Sequence, residues 1–168
     1  RKSVGTKPII PQKGSITQLY VLNIHNYCLA DKWFLQVYRK KITNSASSYV
    51  KLQQAYISEA VAVGNWGVIG YKGPGDNTNA SGNGAATSST NNFSFTVASG
   101  WSNNTAALTA NKIGFSASNK AKLNDCAAAA NWTITIGAGT AAGEATFTPS
   151  TLGATCVQLT PNWTQIGK

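Results

Sequence analysis

The chain has 168 residues, of which 42% are apolar and only 11% are charged, with 14 Lys and Arg against five Asp and Glu and a single His. That length is enough for one domain with a substantial core. Acid/base, triad and metal sites use His, Asp and Glu in clusters. So few of these residues argue against an enzyme, and we expect no catalytic residue, no metal site and no cofactor.

The net charge of +9 is concentrated near the N-terminus. Residues 1–51 hold nine cations and one acid, whereas residues 52–168 hold five cations and four acids. The second segment is nearly neutral and rich in Ala, Gly, Thr, Ser and Asn. Such a contrast predicts two parts, a basic arm over residues 1–43 and a globular domain over residues 44–168.

The cysteines are divided in the same way. Cys126 and Cys156 lie in the neutral segment, and Cys28 lies in the arm as an odd thiol. One well-separated pair in a Ser/Thr/Asn-rich segment predicts an exported protein with one disulfide. Closing a loop of about 30 residues stabilises a fold by about 3.7 kcal/mol in the chain-entropy description. Two unpaired buried thiols in a cytosolic protein are the alternative interpretation.

A helix is predicted over residues 45–63, because a cap-like Asn44-Ser45 pair precedes apolar residues that recur at about helical spacing. The residues expected to form its packing face are Tyr49, Leu52, Tyr56 and Val63. The other face carries polar residues, among them Lys51 and Gln53, and Gly64 is expected to end the helix.

A long surface loop is predicted over residues 64–92, because Gly, Asn, Ser and Thr dominate its second half. Its turn residues are Gly73, Pro74, Gly75 and Asp76. Over residues 93–168, short alternating runs predict an antiparallel sheet with one buried face. Phe93–Val97 is the first of these runs, and the others lie at 112–116, 132–136, 145–148 and 156–159. A helix followed by strands predicts an α+β fold.

Three features together resemble the type IV pilins of bacteria. The helical stretch Tyr49–Tyr56, continuing to Ile69-Gly70-Tyr71 and Pro74-Gly75, is similar to the second half of the pilin spine helix and the loop after it. A late antiparallel sheet follows a long glycine-rich loop. Cys126 and Cys156 bracket the C-terminal region, which is similar to the disulfide-closed end of pilins. The resemblance covers residues 44–168.

This resemblance implies a long N-terminal α-helix spine packed on an antiparallel β-sheet, with the C-terminal region closed by a disulfide. It implies a structural subunit of a bacterial cell-surface filament that serves adhesion, motility or uptake. The subunit would be anchored in the inner membrane before assembly. Its partners would be identical subunits and the pilus assembly machinery of the inner membrane.

The beginning of the chain departs from the pilin pattern. A pilin starts, after a short basic leader ending in Gly, with a long apolar stretch that carries Glu at its fifth position. Here Lys13-Gly14 is followed by Ser15-Ile16-Thr17-Gln18-Leu19 without that Glu, and Asp31 and Lys32 would each cost about 2.5 to 3.5 kcal/mol at the centre of a bilayer. We therefore expect a basic arm in place of the hydrophobic helix. A replaced N-terminus on a pilin, a relative with a soluble arm and a chance likeness stay open.

Two other classes of function are compatible with the sequence. In a secreted carbohydrate-binding module, Trp66, Trp101, Trp132 or Trp163 would stack on sugar rings, although a place in the core is the competing role for each. In a DNA-binding module, the Lys/Arg-rich arm with its interleaved Tyr and Trp would contact the phosphates and bases.

Overall fold

The structure is a computed structural model that describes residues 37, 40–78, 86–97, 101 and 104–168. All of these residues belong to one compact unit. Most of the predicted basic arm, including Cys28, lies outside the described residues, and so does part of the predicted loop, residues 79–85.

Helix α1 spans residues 40–60. Its buried side chains recur every three or four residues, as one face of a helix requires. They are Ile42, Ala46, Tyr49, Gln53 and Ile57. Of the four residues predicted to pack, only Tyr49 lies in this face: Leu52 is 40% exposed and Tyr56 is half-buried.

The fourth predicted packing residue, Val63, is buried in strand β1 (Ala62–Gly64), because α1 ends earlier than predicted. Val61 takes a positive φ of 50° while its N–H donates to the Ile57 carbonyl at 2.9 Å. The Gln53 side-chain amide then pairs with the Gly64 backbone, donating to the carbonyl and accepting from the N–H, both at 2.9 Å. These contacts turn the chain back along the helix.

The remaining strands follow in chain order. They are β2 (Asp76–Thr78), β3 (Thr87–Ser89), β4 (Phe93–Thr96), β5 (Thr105–Ala107), β6 (Lys112–Asn119), β7 (Asn131–Ala138) and β8 (Ala145–Pro149). Strands β1 and β5 pair with each other, and the other six form an antiparallel sheet in the order β2-β3-β4-β6-β7-β8. A four-residue helix, α2 (Ala154–Val157), and a 3-10 turn, Trp163–Gln165, complete the C-terminal segment.

The expected α+β fold with a long N-terminal helix spine is wrong. In the described residues, the one long helix covers only 40–60, and two sheets make the fold mostly β. The predicted loop over 64–92 contains β2 and β3, which pair through Ser, Thr, Asn and Asp residues and therefore show no apolar alternation. The predicted last strand, 156–159, instead begins inside α2.

The core lies between α1 and one face of the six-stranded sheet, and aromatic rings fill much of it. Tyr49 meets Tyr71 edge-to-face, with ring centroids 5.4 Å apart, and Tyr71 meets Trp66 in the same way at 4.8 Å. Phe115 lies 5.8 Å from the Tyr49 ring. Such pairs add about 0.5 to 1.5 kcal/mol each beyond the burial of their area.

At Gly114 a side chain of α1 lies directly against the backbone of the sheet. The register of β6 shifts there, because Ile113 pairs with Thr135 and Phe115 with Ile134, which leaves Gly114 as an extra residue. A Cβ at Gly114 would overlap the Tyr49 hydroxyl and the Ile136 side chain. The Gly114 carbonyl also accepts a hydrogen bond from Trp66 Nε1 at 2.9 Å.

Cys126 and Cys156 form the predicted disulfide, with β7 and β8 between them in the chain. The buried Asn119 side chain organises the start of this loop. Its Nδ2 donates to the carbonyls of Ala121 at 2.9 Å and Ala127 at 2.8 Å, and its Oδ1 accepts from the Ala130 N–H at 2.8 Å. The bond and this amide together hold the C-terminal region closed.

The other face of the six-stranded sheet is uncharged over its central strands. Apart from Asn131 and Ile113, which is 37% exposed, the positions that alternate with the buried ones carry Ser and Thr, and all of these are exposed or half-buried. They are Ser94, Thr96, Ser116, Ser118, Thr133, Thr135, Thr146 and Thr148. One apolar face and one hydroxyl-bearing face are what the period of two in a half-buried strand requires.

Candidate functional site

The predicted turn residues lie at the entrance to β2 rather than in an open loop. Gly73 is buried, and a Cβ there would overlap the side chain of Ser88. Pro74 is half-buried, Gly75 is exposed with a φ of +85°, and Asp76 begins β2. The prediction of a surface loop at Gly73 is therefore wrong, because the absence of a side chain lets the backbone pack there.

Exposed apolar side chains are concentrated on α1 and around its end. Val37, which is also helical, is 42% exposed, and Leu52 on the outer face of α1 is 40% exposed. Val61, directly after α1, is 52% exposed, and Val68 in the turn after β1 is 39% exposed. Exposed apolar side chains on a helix and in the segments next to it are a candidate contact surface.

A groove of about 710 Å³ lies beside α1. It is lined by α1, by β8 and by the segment after α2, and β8 is the last strand of the sheet. The lining residues are Thr43, Ser47, Val50, Lys51, Gln54, Ala145, Phe147, Asn162, Gln165, Ile166, Gly167 and Lys168. Next to the groove, the Gly143 carbonyl accepts from Gln54 Nε2 at 3.2 Å and ties the β7–β8 turn to α1.

The groove combines an apolar interior with positive charge. Phe147 and Ile166 contribute largely buried apolar side chains, and Val50 is half-buried. Lys51 and Lys168 are both exposed, and no Asp or Glu occurs among the lining residues. A ligand or partner that brings an apolar group next to a carboxylate would match this lining.

Two buried tyrosines have side-chain pKa values that are raised by their surroundings. Burial raises the pKa of Tyr49 well above its ordinary value, and the neighbouring Tyr71 raises it further. Burial also raises the pKa of Tyr71, and the Ser45 hydroxyl offsets only part of that effect. Both phenols stay protonated at neutral pH. They lie within the aromatic core, so we assign them a structural role.

The four tryptophans considered for sugar stacking are all buried, each at most 2% exposed. Three of them donate their indole N–H inside the protein: Trp66 to Gly114, Trp132 to the Thr160 hydroxyl at 2.8 Å and Trp163 to the Ser150 carbonyl at 3.0 Å. Within the described residues, these rings belong to the core and form no exposed aromatic platform.

Neither a metal site nor a membrane span is found in the described residues. No group of three or more His, Cys, Asp and Glu lies close enough together there to hold a metal ion. No helix in these ranges has both the length and the apolar composition needed to cross a membrane.

Sequence reasoning missed the buried Gln53 and the groove. The buried stripe of α1 already begins at Ile42, ahead of the predicted helix start at Ser45, and that residue would have revealed the correct face. The groove has no local signal, because its lining combines α1 with residues almost 100 positions later.

Comparisons of this chain with protein-family models, with curated proteins and with solved structures find no match. The geometry of α1, its end and the groove beside it therefore carries the functional argument.

Proposed function

We propose that this chain is a structural subunit that self-assembles into an extracellular filament of the type IV pilus kind. One observation carries the proposal: of the six exposed large apolar side chains of the described residues, three lie on α1 or within three residues of its ends, and a fourth lies in the turn after β1. They are Val37, Leu52, Val61 and Val68. Packing of α1 against other subunits would remove this apolar area from water.

Two further features support a subunit of an exported fibre. The Cys126–Cys156 disulfide is typical of proteins that fold in an oxidising compartment. The Ser/Thr face of the sheet carries no charge on its central strands, and this suits a packed, solvent-facing fibre better than the steering of an anionic ligand. The partners under this proposal are identical subunits and the inner-membrane assembly machinery.

The other two classes receive less support. A carbohydrate-binding module would need exposed aromatic rings, whereas Trp66, Trp101, Trp132 and Trp163 are buried. DNA binding would use the arm, most of which lies outside the described residues, so nothing in the described geometry favours it.

Electron microscopy of the protein purified from its source tests the proposal. We expect uniform fibres whose tryptic digest contains the peptide of residues 52–72, and N-terminal sequencing of the fibre subunit would define its mature start. Monodisperse particles would contradict the filament proposal and favour a secreted binding module instead.

A substitution on α1 links that result to the proposed surface. Leu52→Glu adds a charge to an exposed position and leaves the core intact, so we expect at least about tenfold fewer fibres with an unchanged fold. Val157→Glu is the matched control, because Val157 is equally exposed but lies in α2. Equal fibre counts for the two variants would show that α1 is not the contact surface.

A further inference from the structure

Two residues at the end of α1 are in positions that do not stabilise their own subunit. Glu59 is exposed in the last turn, where a carboxylate opposes the helix dipole, and no cation of the described residues pairs with it. Val61 has a β-branched side chain in the left-handed region and is also the most exposed large apolar residue of those that the structure describes. We refer to residues 59–61 as the helix-end knob.

The groove beside α1 has the complementary character. Its buried apolar groups, Phe147 and Ile166, match an exposed valine, and its two lysines match a carboxylate. We refer to it as the lysine groove. Each surface therefore supplies what the other lacks in the isolated subunit.

We propose that the helix-end knob of one copy docks into the lysine groove of a second copy. Glu59 then lies beside Lys51 and Lys168 of the second copy, and Val61 packs against its Phe147 and Ile166. This inference rests on the proposed function, because it specifies how identical subunits recognise one another in the filament.

The two surfaces lie at different positions on the subunit, so each copy can bind one neighbour through its knob and another through its groove. Glu59 and Lys51 lie eight residues apart on the same helix, which corresponds to about 12 Å along its axis. A contact between different surfaces of identical copies is heterologous, and it forms filaments when its rotation does not close a ring. With α1 along the filament axis, each copy advances by about 12 Å.

Glu59 fits this role better than the other acids whose side chains the structure describes. Glu144 is already engaged, because its carboxylate accepts from the Thr140 hydroxyl at 2.9 Å and from the Ala141 N–H at 3.2 Å. Asp125 is exposed in the turn just before Cys126, where the described exposed residues next to it include no large apolar side chain. Glu59 has Val61 two residues away.

Zero-length cross-linking of the full chain tests the contact directly. Equal amounts of 14N- and 15N-labelled protein, assembled together and treated with a carbodiimide, should yield amide links from Glu59 to Lys51 or Lys168 in mixed-isotope pairs. Fibres that form without such links would overturn the docking and leave the filament proposal standing. Links without fibres would support the docking and contradict the filament.

Charge reversal provides a second test, with matched controls. Glu59→Lys and Lys51→Glu should each lower the yield of sedimenting assemblies at least about tenfold, and the double variant should recover most of it. Asp125→Lys and Lys122→Glu make the same charge changes in the turn before Cys126 and should leave the yield within about twofold. Equal losses in all four single variants, or no recovery in the double variant, would overturn the proposal.

Val61→Gly separates an effect on assembly from an effect on folding. Gly adopts a positive φ freely, so this variant should melt at the same or a higher temperature than the unaltered protein. If the valine packs in the groove, the same variant should assemble several-fold less. Unchanged assembly by a well-folded Val61→Gly variant would remove the apolar half of the contact.

Discussion

The Tyr71 hydroxyl is buried and makes no hydrogen bond of good geometry with a described residue, although the nearby Ser45 hydroxyl lowers its pKa in part. Burial raises its pKa, while the ordinary value of about 10 applies in the unfolded chain. Above pH 10, the unfolded state therefore binds fewer protons than the folded state. Stability is fully present below that pH and falls as the pH rises further.

We expect Tyr71→Phe to remove this part of the alkaline pH dependence. The free energy of unfolding of the variant should fall less steeply above pH 10, by up to about 1.4 kcal/mol per pH unit. At pH 7, it should match or slightly exceed that of the unaltered protein, because an unpaired buried hydroxyl is lost. Urea unfolding at several pH values measures both effects. Identical slopes above pH 10 would show that Tyr71 ionises normally.

The residues of α1 also show how far the sequence predicts the side-chain pattern. Helical spacing correctly placed Tyr49 in the core, but it placed Leu52 inside and Gln53 outside. The exchange has a physical reason, because the Gln53 amide is satisfied by both backbone groups of Gly64 and therefore loses little on burial. Hydrophobicity alone gives no indication of a polar side chain that has found such partners.

At the level of elements, α1 can pack on β6 because the residue at their contact, Gly114, has no side chain. A Cβ on Gly114 would overlap both the Tyr49 hydroxyl and Ile136. We expect Gly114→Ala to lower the free energy of unfolding by about 1 to 3 kcal/mol, because extra volume in a packed core forces its neighbours apart. Tryptophan fluorescence during urea unfolding measures the change.

Gly153→Ala is the matched control for that substitution. Gly153 precedes α2 with ordinary backbone angles, and no atom lies within 4 Å of the position that its Cβ would take. Its free energy of unfolding should stay within about 0.5 kcal/mol or rise slightly. Equal losses for the two alanine variants would show that Gly114 has no special place in the packing.

The strands differ in how well they could be predicted. Phe93–Thr96 alternates apolar and polar residues, and the structure has β4 there. Strands β1 and β5 are three residues long and pair only with each other, so neither gives a periodic signal. Residues 156–159 contain apolar side chains, but backbone bonds from Cys156 and Val157 to Gly153 make a helical turn. Spacing over four residues cannot distinguish these outcomes.

For the whole molecule, the disulfide contributes stability that can be measured directly. We expect the double variant Cys126→Ser/Cys156→Ser to lose about 2 to 4 kcal/mol in free energy of unfolding, because its unfolded chain is less restricted. A reducing agent should bring the unaltered protein to the same level and leave the double variant unchanged. Equal stability of the oxidised protein and the variant would show that the bond adds nothing to the fold.

The pairing of the cysteines was predictable from composition, whereas the overall architecture was not. The expected α+β arrangement assumed that the helix ran to Val63 and that residues 64–92 formed a loop. In the structure, Val61 ends α1 and Gln53 holds Gly64, so the chain enters strands immediately. These contacts join residues that are close together in the chain, but neither the positive φ of Val61 nor the pairing of Gln53 with Gly64 can be predicted from the amino-acid composition.

The closed C-terminal region also determines how a subunit responds to tension. Cys126 and Cys156 are 30 residues apart, and β7 and β8 lie within that interval. A pull applied to the chain outside the interval passes through the sulfur–sulfur bond, so the backbone between the two cysteines is not extended. About 100 Å of extended chain therefore stays stored when the rest of the sheet is stretched. A fibre built from such subunits would lengthen less for each unfolded subunit than a fibre without the disulfide.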